Sequence, residues 1–185
     1  MMLLFFSVAP PLLAAETYVI DTKGMHASIN FEIPHLGYSL LTGRFNRFSG
    51  KFTYDREYPS ASSVSVVIET GSVDSNHAER DKHLRGKDFL NSKKYPEATF
   101  VSSSFSENDS GTIEMTGDFT LNGVSRPLMI HLRKIGEGED PWGGYRMGFS
   151  GKTSFLLTDF GIMKSLGEHS KEVVLLLNVE GVREK

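Results

Sequence analysis

Cysteine is absent from the 185 residues, and that one absence removes disulfides, thiolate metal sites and cysteine nucleophiles together. Neither sign of charge is in large excess: 20 Lys and Arg face 23 Asp and Glu, for a formal net charge of −3. With the signs interspersed there is no basic footprint for a phosphate backbone, which excludes nucleic acid as a partner. No apolar run reaches the roughly 20 residues a membrane helix needs, so no integral span is expected. The most apolar stretch, MMLLFFSVAPPLLAA at residues 1–15, is broken by Pro10 and Pro11 and ends in small residues before Glu16. It reads as a secretory signal peptide cleaved after Ala15, with residues 16–185 as one exported domain. The leader contains no Lys or Arg, the basic stretch with which such signals open, so the position of the true start stays open.

What is present is alternation. Ala27, Ile29, Phe31 and Ile33 share one face of a period-two pattern, and Phe48, Gly50, Phe52 and Tyr54 share another. Phe45 is out of phase with the second set, which predicts a bend near Asn46 and Arg47. Val64, Val66 and Ile68 continue the pattern, as do Ala98 and Phe100. Ile113, Met115, Gly117, Phe119 and Leu121 form the clearest strand. Asn122-Gly123, the favoured pair of a two-residue hairpin turn, joins it to a strand with Leu128, Ile130 and Leu132 on one face. Met147 and Phe149 mark another strand, and Val173, Leu175, Leu177 and Val179 the last. Eight or nine strands with one helical interruption predict an all-β fold, an antiparallel barrel or sandwich, and apparent strands of more than ten residues favour a barrel of about eight strands. A barrel of that size either fills itself with side chains or holds one small ligand.

The interruption is NHAERDKHLRGKDFLN, residues 76–91. Asn76 with Glu79 has the form of a capping box, so a helix is expected from His77 to a stop at Gly86, with i, i+4 pairs such as Asp81 with Arg85. His77 and His83 are six apart and point away from each other, so no metal face is expected. Leu84, Phe89 and Leu90 give the segment an apolar anchor with which to close one end of a barrel. Asp159-Phe160-Gly161, Gly151-Lys152-Thr153 and Asn108-Asp109-Ser110 match a kinase triplet, the end of a phosphate loop and a glycosylation acceptor. Each lacks the surrounding sequence its chemistry needs and reads as turn, strand and turn. The serines of ASSVSV and FVSSSFS lie in strand-like runs without a nucleophile elbow, so no catalytic residue is assigned.

NHAERDKHLRGKDFLNSKKYPEATF, DFTLNGVSRP, HLGYSLLTGRF and EVVLLLNVEGV, in that spacing over Thr17 to Val182, resemble the YceI-like family of bacterial secreted proteins. The resemblance implies a lipocalin-like barrel in the periplasm whose interior binds an isoprenoid lipid, either a polyprenyl chain or an isoprenoid quinone, and it implies no other cofactor and no enzymatic activity. The lining it suggests is Phe31, Phe48, Phe52, Val66, Ile68 and Phe100 from the first strands, then Met115, Phe119, Ile130, Met147, Phe149, Leu175 and Leu177. Leu84 and Phe89 would close the end. His77, Arg80, Asp81 and His83 are the candidate headgroup or gate residues. Periodicity alone does not separate a lined tunnel from a filled core. Two other readings therefore stand beside the lipid carrier: an enzyme acting on such a lipid, with His83 as its acid or base, and a non-binding, stress-related module with a filled barrel. A homodimer that covers an exposed edge is compatible with the sequence but not required by it.

Overall fold

Eleven strand segments, one α-helix and three short 3-10 turns follow one another in the computed structural model, which describes residues 15–108, 110–164, 167 and 169–184. They are β1 (Glu16–Ile20), β2 (Ser28–His35), β3 (Ser39–Phe45), β4 (Phe48–Tyr54), β5 (Ser63–Glu69), β6 (Val73–Asp74), α1 (Ala78–Leu84), β7 (Glu97–Glu107), β8 (Thr112–Leu121), β9 (Val124–Glu139), β10 (Tyr145–Leu156) and β11 (Glu172–Arg183). The proposed leader lies, except for Ala15, outside the described residues. No described helix is long and apolar enough to cross a membrane.

Strands β1, β4, β5, β7, β8, β9, β10 and β11 pair in that order, and β1 pairs back onto β11. The result is a closed eight-stranded antiparallel barrel. The three segments beyond the eight of the ring are β2, β3 and β6: β2 pairs with Val174–Asn178 of β11, beside the stretch where β1 takes Gly181–Arg183, β3 pairs with β2, and β6 with β3. The expected bend falls at Asn46 and Arg47, between β3 and β4. Ser72 holds it there, accepting from Asn46 N at 3.1 Å through its carbonyl and from Arg47 N at 3.0 Å through its hydroxyl. Beyond this bend β3 leaves the barrel wall. Among the described strands its second edge meets only β6, through Arg44 and Phe45.

The period-two faces point as expected. On β8, Ile113, Met115, Gly117, Phe119 and Leu121 are all buried while Glu114 and Asp118 are exposed. Asn122 and Gly123 both take positive φ, 52° and 76°, which makes the β8–β9 turn type I′ and matches the right-handed twist of its strands. Phase is broken in two places. A bulge at Ser103 brings Phe105 inward after Phe100, and a register shift near Ile135 re-aims β9. The serines around the first bulge serve the backbone: Ser102 Oγ accepts from Val64 N at 2.8 Å, and Ser103 Oγ donates to Thr116 O at 3.2 Å.

The lower end, where the chain enters β1 and leaves β11, is plugged. Tyr18 and Phe52 stack with their centroids 4.9 Å apart, and Phe149 packs edge-on against Phe52 and Tyr54. Burial and the Glu16 carboxylate push the Tyr18 hydroxyl up to about 12, so it stays a donor to Glu16 at 2.8 Å. Arg56 and Arg183 also reach Glu16, at 2.9 and 2.6 Å, and Arg56 holds Glu137 as well.

Candidate functional site

The helix at the upper end starts one residue later than its sequence suggests. Asn76 takes a left-handed conformation with φ 62°, and His77 is the N-cap, its Nδ1 accepting from Arg80 N at 3.2 Å. Asp74 answers for the expected Asn76 box: its carboxylate accepts from Asn76 N at 2.9 Å, while exposed Glu79 lies 3.8 Å from Lys82. The expected pairing of Asp81 with Arg85 is absent among the described contacts. Asp81 is buried and accepts from Ser75 N at 2.8 Å and from Ser75 Oγ at 2.5 Å. Arg80 binds the same serine, donating from Nε to Oγ at 2.8 Å and from Nη2 to the carbonyl at 2.5 Å. Arg80 and Asp81 are thus linked through one hydroxyl instead of by direct contact.

Above the plug the barrel is hollow in two places. An upper chamber of about 340 Å³ lies among β2, β3, α1, the segment after it and the 157–162 turn. A lower chamber of about 90 Å³ lies inside the closed ring. Ile29, Ile68, Phe119 and Leu175 line both and form the waist between them. The upper chamber reaches the surface at His35, Leu36 and His83, all exposed. Arg80, His35 and His83 are its only polar-headed lining residues among those described. His83 packs edge-on against Phe89 at 5.1 Å.

The geometry brings together most of the residues the sequence suggested. Phe31, Leu84 and Phe89 line the upper chamber, and Ile68, Phe119 and Leu175 line the waist. Phe48, Phe52, Val66, Phe100, Met115, Ile130, Phe149 and Leu177 line the lower chamber. Phe31 lies over Gly43, its cross-strand partner, whose missing side chain leaves room for the ring. Three residues fall elsewhere. Met147 is fully buried opposite Gly181, where the Phe52 ring lies, and lines neither chamber. His77 is exposed and occupied as the helix cap, and Asp81 is turned into the segment before the helix, so neither faces the cavity. Of the gate candidates only Arg80 and His83 do.

Other lining residues were not singled out from the sequence. Ile33 belongs to a recognised strand face, and its alternation was the available signal. Leu41 and Phe45 come from β3, whose pattern is cut short by the bend. Leu157 and Ile162 flank the Asp159-Phe160-Gly161 turn, which is closed by Ile162 N donating to Leu157 O at 3.1 Å. A turn carries no face periodicity, so only its place in the fold reveals that it forms a wall.

A family model for the YceI-like domain matches residues 18–181. The chain belongs to the YceI-like family. Among its relatives, a UPF0312 protein of Shewanella sp. strain MR-7 is 56% identical over 178 residues, covering 96% of this chain and 93% of the relative. A UPF0312 protein of Shewanella oneidensis is 56% identical over 175 residues, covering 95% and 92%. In structure, this YceI-like chain is similar to the Campylobacter jejuni YceI protein, with a TM-score of 0.73 and 29% identity over 83% of this chain and 91% of that one. A polyisoprenoid-binding domain from Saccharophagus degradans, implicated in plant cell wall breakdown, shares the fold at a TM-score of 0.65, with 15% identity over 90% and 98% of the chains.

Proposed function

We propose that this protein is a periplasmic carrier or store that holds an isoprenoid lipid, a polyprenyl chain or an isoprenoid quinone, in its barrel. The observation that carries the reading is the cavity: two chambers walled by hydrocarbon and open at one end beside a single arginine. Each buried methylene contributes up to about 0.8 kcal/mol, so a short branched chain binds without polar anchors even after ordering costs are subtracted. Arg80 sets the orientation. Its Nε and Nη2 are taken by Ser75, and its remaining nitrogen is the natural donor for a carbonyl or phosphate oxygen on the headgroup. The tail then points down toward the waist. The polyisoprenoid-binding domain that shares this fold supports the same ligand class. An empty space of this size speaks against the filled-barrel reading. The His83 imidazole has no hydrogen-bond or ion-pair partner among the described contacts, and none of the orientation that a general base receives from a third group. A binding role therefore fits better than a catalytic one.

Protein purified from an exporting host and extracted with organic solvent should release an isoprenoid in stoichiometric amount, identified by mass spectrometry. Recovering none, even after incubation with an isoprenoid quinone, overturns the proposal.

A further inference from the structure

The rim of the mouth carries apolar side chains that the cavity does not use. From Ile33 to Leu41, across the hairpin that joins β2 to β3, no Asp, Glu, Lys or Arg occurs. Ile33 and Leu41 pair across it and line the chamber, whereas Tyr38 is 87% and Leu40 61% exposed. On the turn that walls the same chamber, Met163, next to the lining residue Ile162, is 72% exposed. Leu36 joins the two surfaces, lining the chamber while almost half exposed itself. It does so with φ at 53°, a left-handed conformation that a bulky side chain rarely takes. The tip is held in place by its own backbone: Tyr38 N donates to His35 O at 2.9 Å, Leu36 N to Ser170 Oγ at 3.3 Å, and Ser170 Oγ to Pro34 O at 2.6 Å. A tip whose backbone groups are answered within the protein suits an apolar medium.

Charge is unevenly divided along the chain. The segments that hold the mouth, residues 33–41, 76–96 and 157–164, carry seven Lys and Arg against four Asp and Glu, and the rest of the chain thirteen against nineteen. Lys82, Lys87 and Lys164 are exposed among them, and Lys164 lies 3.8 Å from Asp88, which ties the turn to the segment after the helix. A basic rim beside an apolar tip complements a bilayer with anionic headgroups, where lysines meet phosphates while Tyr and Leu enter below them. A flat protein partner fits less well. Leu40 points from the strand face opposite to Leu41, so the tip is apolar on both sides. Trp142, 79% exposed at the lower end, has a different setting: it lies over the Arg146 guanidinium at 5.7 Å, which Asp21, Asp140 and Glu180 surround.

We infer that the β2–β3 hairpin tip, with Met163 and the lysines beside it, docks the mouth of the barrel onto an anionic lipid bilayer. The inference goes beyond the lipid-holding reading, which supplies its use but not its evidence. Each methylene left in water lowers the aqueous concentration of a lipid about fourfold, so a carrier that meets the membrane mouth-first takes its cargo without a free intermediate.

Flotation with vesicles tests the docking, on protein purified from an exporting host. The wild-type protein should bind vesicles of phosphatidylcholine mixed with an equal amount of phosphatidylglycerol, and bind phosphatidylcholine alone more weakly. Tyr38→Asp and Leu40→Asp, both at exposed positions, should each lower binding to the mixed vesicles on the order of tenfold. Lys82→Gln and Lys87→Gln should each lower it about fivefold and leave binding to phosphatidylcholine alone unchanged. Trp142→Asp, at the far end, should change neither. In a Trp142→Phe background, Tyr38→Trp supplies the only indole, and its emission should shift to the blue when mixed vesicles are added. The docking is overturned by a wild-type protein that stays off the mixed vesicles, or by tip variants that bind as well as the wild type. It is equally overturned if the tip governs self-association in analytical ultracentrifugation and no vesicle is bound. Isoprenoid recovered from protein that does not dock leaves the lipid-holding reading standing, and docking by protein that retains no isoprenoid overturns that reading alone.

Discussion

At Ser75 two charged neighbours meet on one hydroxyl. Its Oγ donates to Asp81 and accepts from Arg80 Nε, and its backbone contributes a bond to each. Asp81 is 8% exposed, so a lost partner is not replaced by bulk water. Ser75→Ala should therefore lower the free energy of unfolding by about 1–3 kcal/mol, measured by urea denaturation, and loosen the Arg80 side chain at the mouth. The same exchange at exposed Ser65 should stay within about 0.5 kcal/mol. The sequence made the helix legible but misplaced its cap by one residue, because a capping box is recognised by spacing while the cap itself is decided by backbone conformation. Asn76 tolerates the left-handed region well, so it turns the chain and leaves His77 to cap.

Between elements, the loop joining β1 to β2 is tied down by charge. Arg146 on β10 reaches Asp21 at 2.7 Å, Glu180 on β11 at 2.5 Å and Asp140 at 2.7 Å. The Arg146 guanidinium, helped by the Gly24 amide, lowers the Asp21 carboxyl to about 2. Since the folded value lies below the ordinary 3.8, this tie contributes its full stability above about pH 4 and loses it as pH falls through about 2. The shift corresponds to about 2 kcal/mol for a side chain only 9% exposed. Asp21→Asn should be destabilised by about that amount at pH 6, and its urea midpoint should fall less steeply than the wild type's between about pH 4 and pH 2. Equal slopes for the two proteins would remove the tie from the acid response. Glu16, Glu137 and Asp140 are lowered in the same direction, with arginines among the hydrogen-bond donors in each case, so acid loosens the lower plug as well.

Across the whole molecule, pairing is uneven. The central strands β8, β9 and β10 carry long ladders on both edges, whereas most of β3 is paired on one edge and α1 is only seven residues long. Hydrogen exchange should divide accordingly. Amides of β8 to β10 should exchange only through global unfolding, and those of Ser39–Gly43 and α1 should exchange at least about tenfold faster by local opening around the upper chamber. Uniform protection would mean that the hairpin and helix unfold together with the ring. If the proposed lipid occupies the upper chamber, its addition should slow the fast set most.

Alternation in β2, β4, β5, β8, β9, β10 and β11 determined which face of each strand is buried, because each inward residue must find a buried surface and period two leaves only one face for it, while closure of the ring rests on β1 meeting β11. The Asn122-Gly123 turn was equally local, since it depends on backbone conformations that those residues themselves favour, whereas the bend at Asn46 and Arg47 showed only as the lost phase at Phe45 and is held by distant Ser72. What tertiary structure alone decided is which inward residues line empty space. Met147 and Met115 read alike in sequence, yet one is packed opposite Gly181 beneath the Phe52 ring and the other lines the lower chamber. A cavity is the volume that distant side chains fail to fill, so it belongs to no strand's own pattern. The upper chamber is walled by β3, which leaves the ring at its bend, and by the turn at 157–162, two segments set far apart in the chain.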